Sequence, residues 1–136
     1  MNNAPQYPLG EKASAAIAAA SGRRLSEITL EALASGELSS ADLQIQAETL
    51  RAQARVAHQA GYAQLAENLM RAAELTAVPN EELLRMYETL RPGRASYGEM
   101  IAMAERLEGA YAAVQNARLV REAAQVYLTR GLARKA

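Results

Sequence analysis

Apolar residues recur at three- and four-residue spacing through most of the chain, and no stretch alternates for long enough to make a useful strand. The pattern is clearest between residues 65 and 94. Leu65, Leu69, Ala72 and Thr76 share one face of a helix. Pro79 stops that helix, because it biases Val78 away from the helical region. Asn80 is expected to restart the chain as an N-cap, with Glu81 and Glu82 in the first turn, where the helix dipole favours negative charge. Leu83, Tyr87 and Leu90 form the face of this second helix. Arg91 is expected in its last turn, and Pro92-Gly93 ends it.

The same signals extend in both directions. Ala47 to Ala60 reads as a helix with Ala47, Leu50, Ala54 and Ala57 on its face and Gly61 as its stop. Leu25 to Ser35 reads as one short helix, begun at Ser26 or Thr29 and ended by Gly36. Ser39 with Asp42 makes a capping box for a single turn. Ser96 with Glu99 makes another, opening a long helical pattern to about Thr129. Its face carries Ile101, Ala104, Leu107, Tyr111 and Val114, then Val120, Ala124, Tyr127 and Leu128, with Gly109 as the place for a kink or division. The first 24 residues are the least regular. Tyr7-Pro8-Leu9-Gly10 is an extended or turn element. The alanine run 13–20 suggests a short helix closed by Ser21-Gly22, a tether and not a core element. Arg130 to Ala136 reads as frayed and basic. The expected architecture is all-α: a small, open up-and-down helical bundle with an extended N-terminal arm. Residues 1–24 would be the arm, 25–132 the helical domain and 133–136 the basic tail.

Composition changes this picture in one respect. Of 68 hydrophobic residues 31 are Ala; Leu, Ile and Val together number 26, and Phe and Trp are absent. Alanine buries little area, and at roughly 25 cal/mol per Å² such a core offers little surplus over chain entropy. The chain is therefore expected to complete its core on a partner. Charge is balanced, 15 basic against 15 acidic residues, which removes the simple electrostatic case for nucleic acid or an anionic membrane. A helix-turn-helix DNA-binding protein built on Ala47–Val78 is the competing class, and it lacks a clear recognition face. Without Cys there is no disulfide frame or thiolate chemistry, which suits a reducing, cytoplasmic setting. No run approaches the roughly 18 apolar residues of a membrane span. The alanine run is too short for a signal peptide and follows Glu11-Lys12 in place of a basic start.

Candidate chemistry is sparse. His58 is the single histidine, and its helical neighbours Ala54, Arg55, Gly61 and Tyr62 supply no metal ligand of the usual kind. The glycines form no phosphate-cradling loop. Glu81 and Glu82 are adjacent, so they point to different sides of a helix and make no acid–base pair. No catalytic, cofactor-binding or metal-binding residue is expected, which argues against a free-standing enzyme. Arginine outnumbers lysine 13 to 2. Some of it pairs along helices, as Glu67 with Arg71 and Arg118 with Glu122 do by spacing. Arg91 and Arg94 flank the Pro92-Gly93 stop, and Arg suits bidentate pairing with carboxylates at protein interfaces. Tyr87, Leu90, Arg91 and Arg94 are the candidate subunit interface.

The central block RAAELTAVPNEELLRMYETLRPGR, followed by LEGAYAAVQNARLVREAAQVYLTR, resembles the small (gamma) subunit of adenosylcobalamin-dependent diol and glycerol dehydratases. The likeness extends upstream through Ile28-Thr29-Leu30-Glu31, Ser35-Gly36 and Asp42, and to Tyr7-Pro8-Leu9. Asn80 stands where the family has Asp, Gly93 where it has an aromatic, and Leu119 where it has Phe. The resemblance implies a heterohexamer, two copies each of large, medium and small subunits. It implies that glycerol is converted to 3-hydroxypropionaldehyde, or propane-1,2-diol to propionaldehyde, in a (β/α)8 barrel of the large subunit. Adenosylcobalamin would lie between large and medium subunits, and the helical small subunit would pack on the large one without supplying a catalytic side chain. Some small subunits carry a longer N-terminal extension linked with bacterial microcompartments. Six residues precede Tyr7 here, so the expectation leans to the glycerol dehydratase form or a freely cytoplasmic enzyme.

Overall fold

The computed structural model describes residues 6–135. The expectations that touch residues 1–5 and Ala136, in the arm and the tail, lie outside the described residues in that part. The all-α expectation holds: among the described residues the regular structure is helical, with only two isolated β-bridges. The chain divides into two units, one up to Ala73 and one from Glu74.

The first unit opens with α1 (Leu9–Lys12), entered from Pro8, with Leu9 buried. The alanine run after it is not the short helix its propensity suggests. After one 3-10 turn at Ser14–Ala16 the chain extends and doubles back as a small hairpin, turning at Gly22 with φ +88°. Ala19 N–H donates to the Arg23 carbonyl at 2.8 Å and Ala20 N–H to the Gln44 carbonyl at 2.9 Å. The arm is therefore bonded into the unit. Asp42 holds it there. Only 5% exposed, its carboxylate accepts from the Ser21 hydroxyl at 2.5 Å and from the Ser39 N–H at 2.7 Å and hydroxyl at 3.0 Å, and it pairs with Arg23 at 3.3 Å. Those donors, the Ser21 hydroxyl foremost, hold its carboxyl well below the usual carboxylate range.

The single helix expected over 25–35 is two pieces. Leu25–Glu27 is a 3-10 turn, and α2 (Leu30–Ala34) starts afresh because the Thr29 hydroxyl accepts from Ala32 N–H at 3.1 Å. The Ser39/Asp42 capping box closes a single 3-10 turn, Ser40–Leu43, as expected. Next comes α3 (Ala47–Gln59), burying Leu50, Ala54 and Ala57. Gly61, at φ +85°, lets Tyr62 N–H reach the Ala57 carbonyl at 2.9 Å and ends the helix. The chain then enters α4 (Ala63–Leu75), whose Ala66, Leu69 and Met70 meet Ala54 and Ala57. The division between the units falls in the last turn of α4.

In the second unit α5 (Asn80–Thr89) starts at Asn80 itself, and Pro79 occupies the cap position. Pro79 has φ −58° and no N–H to leave unpaired, and its carbonyl accepts the Leu83 N–H at 3.0 Å. Asn80 is therefore a helical residue and not the expected N-cap. The long pattern after Ser96 is two helices, α6 (Tyr97–Tyr111) and α7 (Val114–Arg130), folded back on each other. The capping box of Ser96 and Glu99 opens α6 as expected. Gly109 stays inside that helix. The break comes at Ala112, which takes φ +52°, followed by the buried Ala113. Between the two helices Met100, Leu107 and Val120 are fully buried, with Ala104, Ala117 and Ala124 allowing close approach. Met100 takes the inward place expected for Ile101, which is half-buried, and Val114 is exposed.

Glu74 explains where the break falls. Its two carboxylate oxygens accept the backbone N–H groups of Gln115 and Asn116, each at 3.0 Å, and the Asn116 side-chain amide at 2.7 Å. These are first-turn N–H groups of α7, orphaned in any helix that lacks a cap. Neither Ala112 nor Ala113 can cap them with a side chain; a carboxylate from 41 residues earlier does, at the positive end of the helix dipole. Arg106 joins α5 to α6 by pairing with Glu82, and its guanidinium lies 5.9 Å from the centre of the Tyr111 ring.

Candidate functional site

The helical period sorts the side chains of α5 into two faces. Leu83, Met86 and Leu90 turn to the α6–α7 core. Leu84 and Tyr87 turn away and are 69% and 59% exposed. The helix ends at Thr89, so Arg91 stands in the turn after it, not in the last helical turn as expected. Arg91 Nη1 lies 3.2 Å from one oxygen of Glu88, and Arg94 Nε lies 3.1 Å from the other. Two guanidinium groups thus share one carboxylate on an open surface. That leaves a surplus positive charge and unused N–H donors beside an exposed Leu and Tyr. Exposed ion pairs contribute only about 0–1 kcal/mol, so this triad holds little of the fold together.

Of the four residues expected at an interface, Tyr87, Arg91 and Arg94 share this open face. Leu90 does not: it packs against the core, and its carbonyl accepts the Tyr127 hydroxyl at 2.6 Å. Leu84 joins the face in its place. The signal for it was in the sequence, since Leu84 lies three residues before Tyr87. The apolar run Leu83-Leu84 hid which of the two faces the core.

The end of the chain meets the same turn. Past α7, the expected fraying does not extend over Gly131–Arg134. Gly93 N–H donates to the Leu132 carbonyl at 2.7 Å, and Arg134 N–H to the Ala95 carbonyl at 2.8 Å. The Arg134 guanidinium spans both oxygens of Glu99, at 2.6 and 2.7 Å. The Glu99 carboxyl lies below its ordinary range, chiefly because it accepts the Ser96 N–H and then because of Arg134. Glu82 is lowered in the same direction, first by its hydrogen bond from Arg106.

Elsewhere the titratable groups are scattered. His58 is exposed near the end of α3. Among the described residues no three His, Asp or Glu side chains gather where they could hold a metal ion. No helix of the described residues is long and apolar enough to cross a membrane.

Residues 2–134 match the family described as dehydratase small subunit. The sequence is 44% identical over 124 residues to the propanediol dehydratase small subunit of Citrobacter freundii, covering 91% of this chain and 72% of the relative. The propanediol dehydratase small subunit of Salmonella typhimurium matches with the same identity and the same coverage.

Proposed function

The chain belongs to the dehydratase small-subunit family, and on that footing we propose that it is the assembly subunit of an adenosylcobalamin-dependent diol dehydratase. The observation that carries this reading is the 44% identity, sustained over 91% of the chain, to small subunits named for propanediol dehydratase. Propane-1,2-diol, dehydrated to propionaldehyde, is therefore the first substrate to test, and glycerol, dehydrated to 3-hydroxypropionaldehyde, the second. The proposed partners are a large barrel subunit and a medium subunit, two copies of each subunit in the complex. The proposed setting is the cytoplasm, free or within a microcompartment.

One apolar cleft among the described residues can be weighed against the cofactor. An open apolar cleft of about 480 Å³ runs along α3 and the start of α4, walled by Val56, Leu65 and Leu69. Its polar groups are the Tyr7 and Tyr62 phenols and the Gln53 amide. A corrin carries amide side chains around its whole rim and calls for a matching set of donors and acceptors, which this lining lacks. His58, the one imidazole, does not line the cleft. The family resemblance, and not this cleft, is the ground for proposing that adenosylcobalamin lies between the large and medium subunits, and no step of the reaction is assigned to a side chain here.

What the chain's own residues do is dock and stabilise. Leu84 and Tyr87 offer apolar and aromatic area of the kind that anchors interfaces. Arg91 and Arg94 can exchange their shared Glu88 for a partner carboxylate without cost to the core. The helix-turn-helix alternative over residues 47–78 finds no supporting observation. The test is co-expression with the large and medium subunits encoded beside this chain, followed by purification and assay of diol-to-aldehyde turnover with added adenosylcobalamin. The complex is expected to carry this chain in equal number to the others and to lose yield or activity when it is omitted. A fully active, stable complex of large and medium subunits alone would refute the assignment.

A further inference from the structure

The turn from Arg91 to Ala95 is anchored at one end by the buried Ala95 and carries the exposed pairs of Arg91 and Arg94 with Glu88, but it has few backbone hydrogen bonds of its own. Pro92 has no N–H, Gly93 sits at φ +79°, and the bond internal to the turn is Arg94 N–H to the Arg91 carbonyl at 3.1 Å. Further backbone hydrogen bonds join it to the segment after α7. Gly131, at φ +68°, lets Leu132 N–H reach the Tyr127 carbonyl at 2.8 Å and turns the backbone away from the axis of α7. Residues 132–134 then run beside the turn. Leu132 accepts from Gly93 and Arg134 donates to Ala95, both through main-chain groups; Arg134 Nε also reaches the Arg94 carbonyl at 3.2 Å. The remaining arm of the Arg134 fork takes Glu99, which itself caps α6 by accepting Ser96 N–H at 2.7 Å. One guanidinium ties together the chain end, the docking turn and the start of a core helix.

We infer that Leu132–Arg134 is a positioning strap: it sets the direction in which Arg91 and Arg94 meet the partner subunit, so docking strength depends on a segment that need not touch the partner. The inference rests on the docking face proposed above. The physical reason is geometric. A guanidinium pairs with a carboxylate through a planar fork, so its benefit depends on where the backbone aims it. Arg91 and Arg94 are long and exposed, and ordering them on docking is an entropic cost. A backbone fixed beforehand by the strap leaves only the side chains to order.

The experiment uses the full chain and its large subunit. Four variants are compared with the parent: Arg134→Ala, Arg134→Lys, a chain ending at Gly131, and the double substitution Arg91→Ala with Arg94→Ala. Two quantities are measured, amide hydrogen exchange at Gly93 and affinity for the large subunit. Arg134→Ala and the shortened chain are expected to speed Gly93 exchange about tenfold or more, while Ala104 and Ala117 in the core stay protected. The same two variants are expected to weaken binding by about fivefold, the scale of one lost hydrogen bond. Arg134→Lys keeps the charge but cannot span Glu99 and the Arg94 carbonyl together, so it falls between. Unchanged exchange at Gly93, or faster exchange with parental affinity, overturns the strap. If the double arginine variant itself binds as the parent does, the docking face has failed and the strap with it. If the double variant weakens binding and neither strap variant does, the strap alone has failed.

Discussion

Replacing Glu74 with Ala removes the acceptor of three N–H groups at the start of α7. One of them is the side-chain amide of Asn116, a residue only 4% exposed. Loss of an N-terminal cap costs about 0.5–2 kcal/mol, and loss of a negative charge at the helix dipole about 0.3–1 kcal/mol. A buried donor that loses its acceptor adds about 1–3 kcal/mol, and the three contributions overlap because they describe the same bonds. A total of about 2–4 kcal/mol is expected. Glu74→Gln keeps an acceptor oxygen and loses the charge, so it should cost roughly half as much or less. The assay is urea unfolding of the assembled complex, tracked together with amide exchange at Gln115 and Asn116. The midpoint should fall with the slope unchanged, and those two amides should lose protection before the middle of α7 does. A Glu74→Ala chain within about 0.5 kcal/mol of the parent, with Gln115 and Asn116 still protected, would show that α7 does not depend on this cap.

Three further outcomes are expected. Arg91→Ala and Arg94→Ala should each weaken capture of the large subunit, by about 2–5 kcal/mol if the docked pair is buried, against about 0–1 kcal/mol if it stays at the rim; a titration at two salt concentrations separates the cases. Asp42 has a depressed carboxyl in the folded chain, so its contribution is fully present above its ordinary value of 3.8 and is lost as pH falls below it. Acid unfolding monitored with Asp42→Asn beside the parent should show a shallower loss below about pH 4 in the variant, whose amide does not titrate. Finally, His58→Ala, Tyr87→Phe and Arg91→Ala should keep turnover within about tenfold when it is measured per assembled, cofactor-loaded complex, since loss of a general acid or base costs about 100- to 10,000-fold. A hundredfold loss in a variant that assembles and loads normally would place that side chain in the chemistry.

The features that were legible in advance are those whose cause lies within a few residues. The capping boxes at Ser39/Asp42 and Ser96/Glu99 each span one helical turn. Gly36 and Gly61 take the positive φ that a helix stop requires. The inward face of α3 comes from the 3.6-residue period, as do Val120, Ala124 and Tyr127 on α7, whereas Leu128 is exposed and Tyr87 lies across α5 from Leu83 and Leu90, with which the sequence grouped it. The tyrosine and arginine residues of the proposed docking face, and the motif around them, were visible in the same way.

Tertiary structure decided the features that depend on partners far away in sequence. Local propensity alone would make a helix of the alanine run and break the long helix at Gly109. Instead residues 17–24 form a hairpin held by Asp42, 21 residues beyond Ser21, because a carboxylate there can collect three donors and an arginine. The long helix breaks at Ala112, where Glu74 can cap the new helix α7, and Gly109 remains helical. The basic end of the chain looks frayed until Gly93 and Ala95 supply the hydrogen bonds that order it. In each case the local preference is worth less than about 1 kcal/mol per residue, while a set of buried or charged hydrogen bonds outweighs it. The residues at both ends of those bonds are present in the sequence, but their pairing is a property of the folded chain.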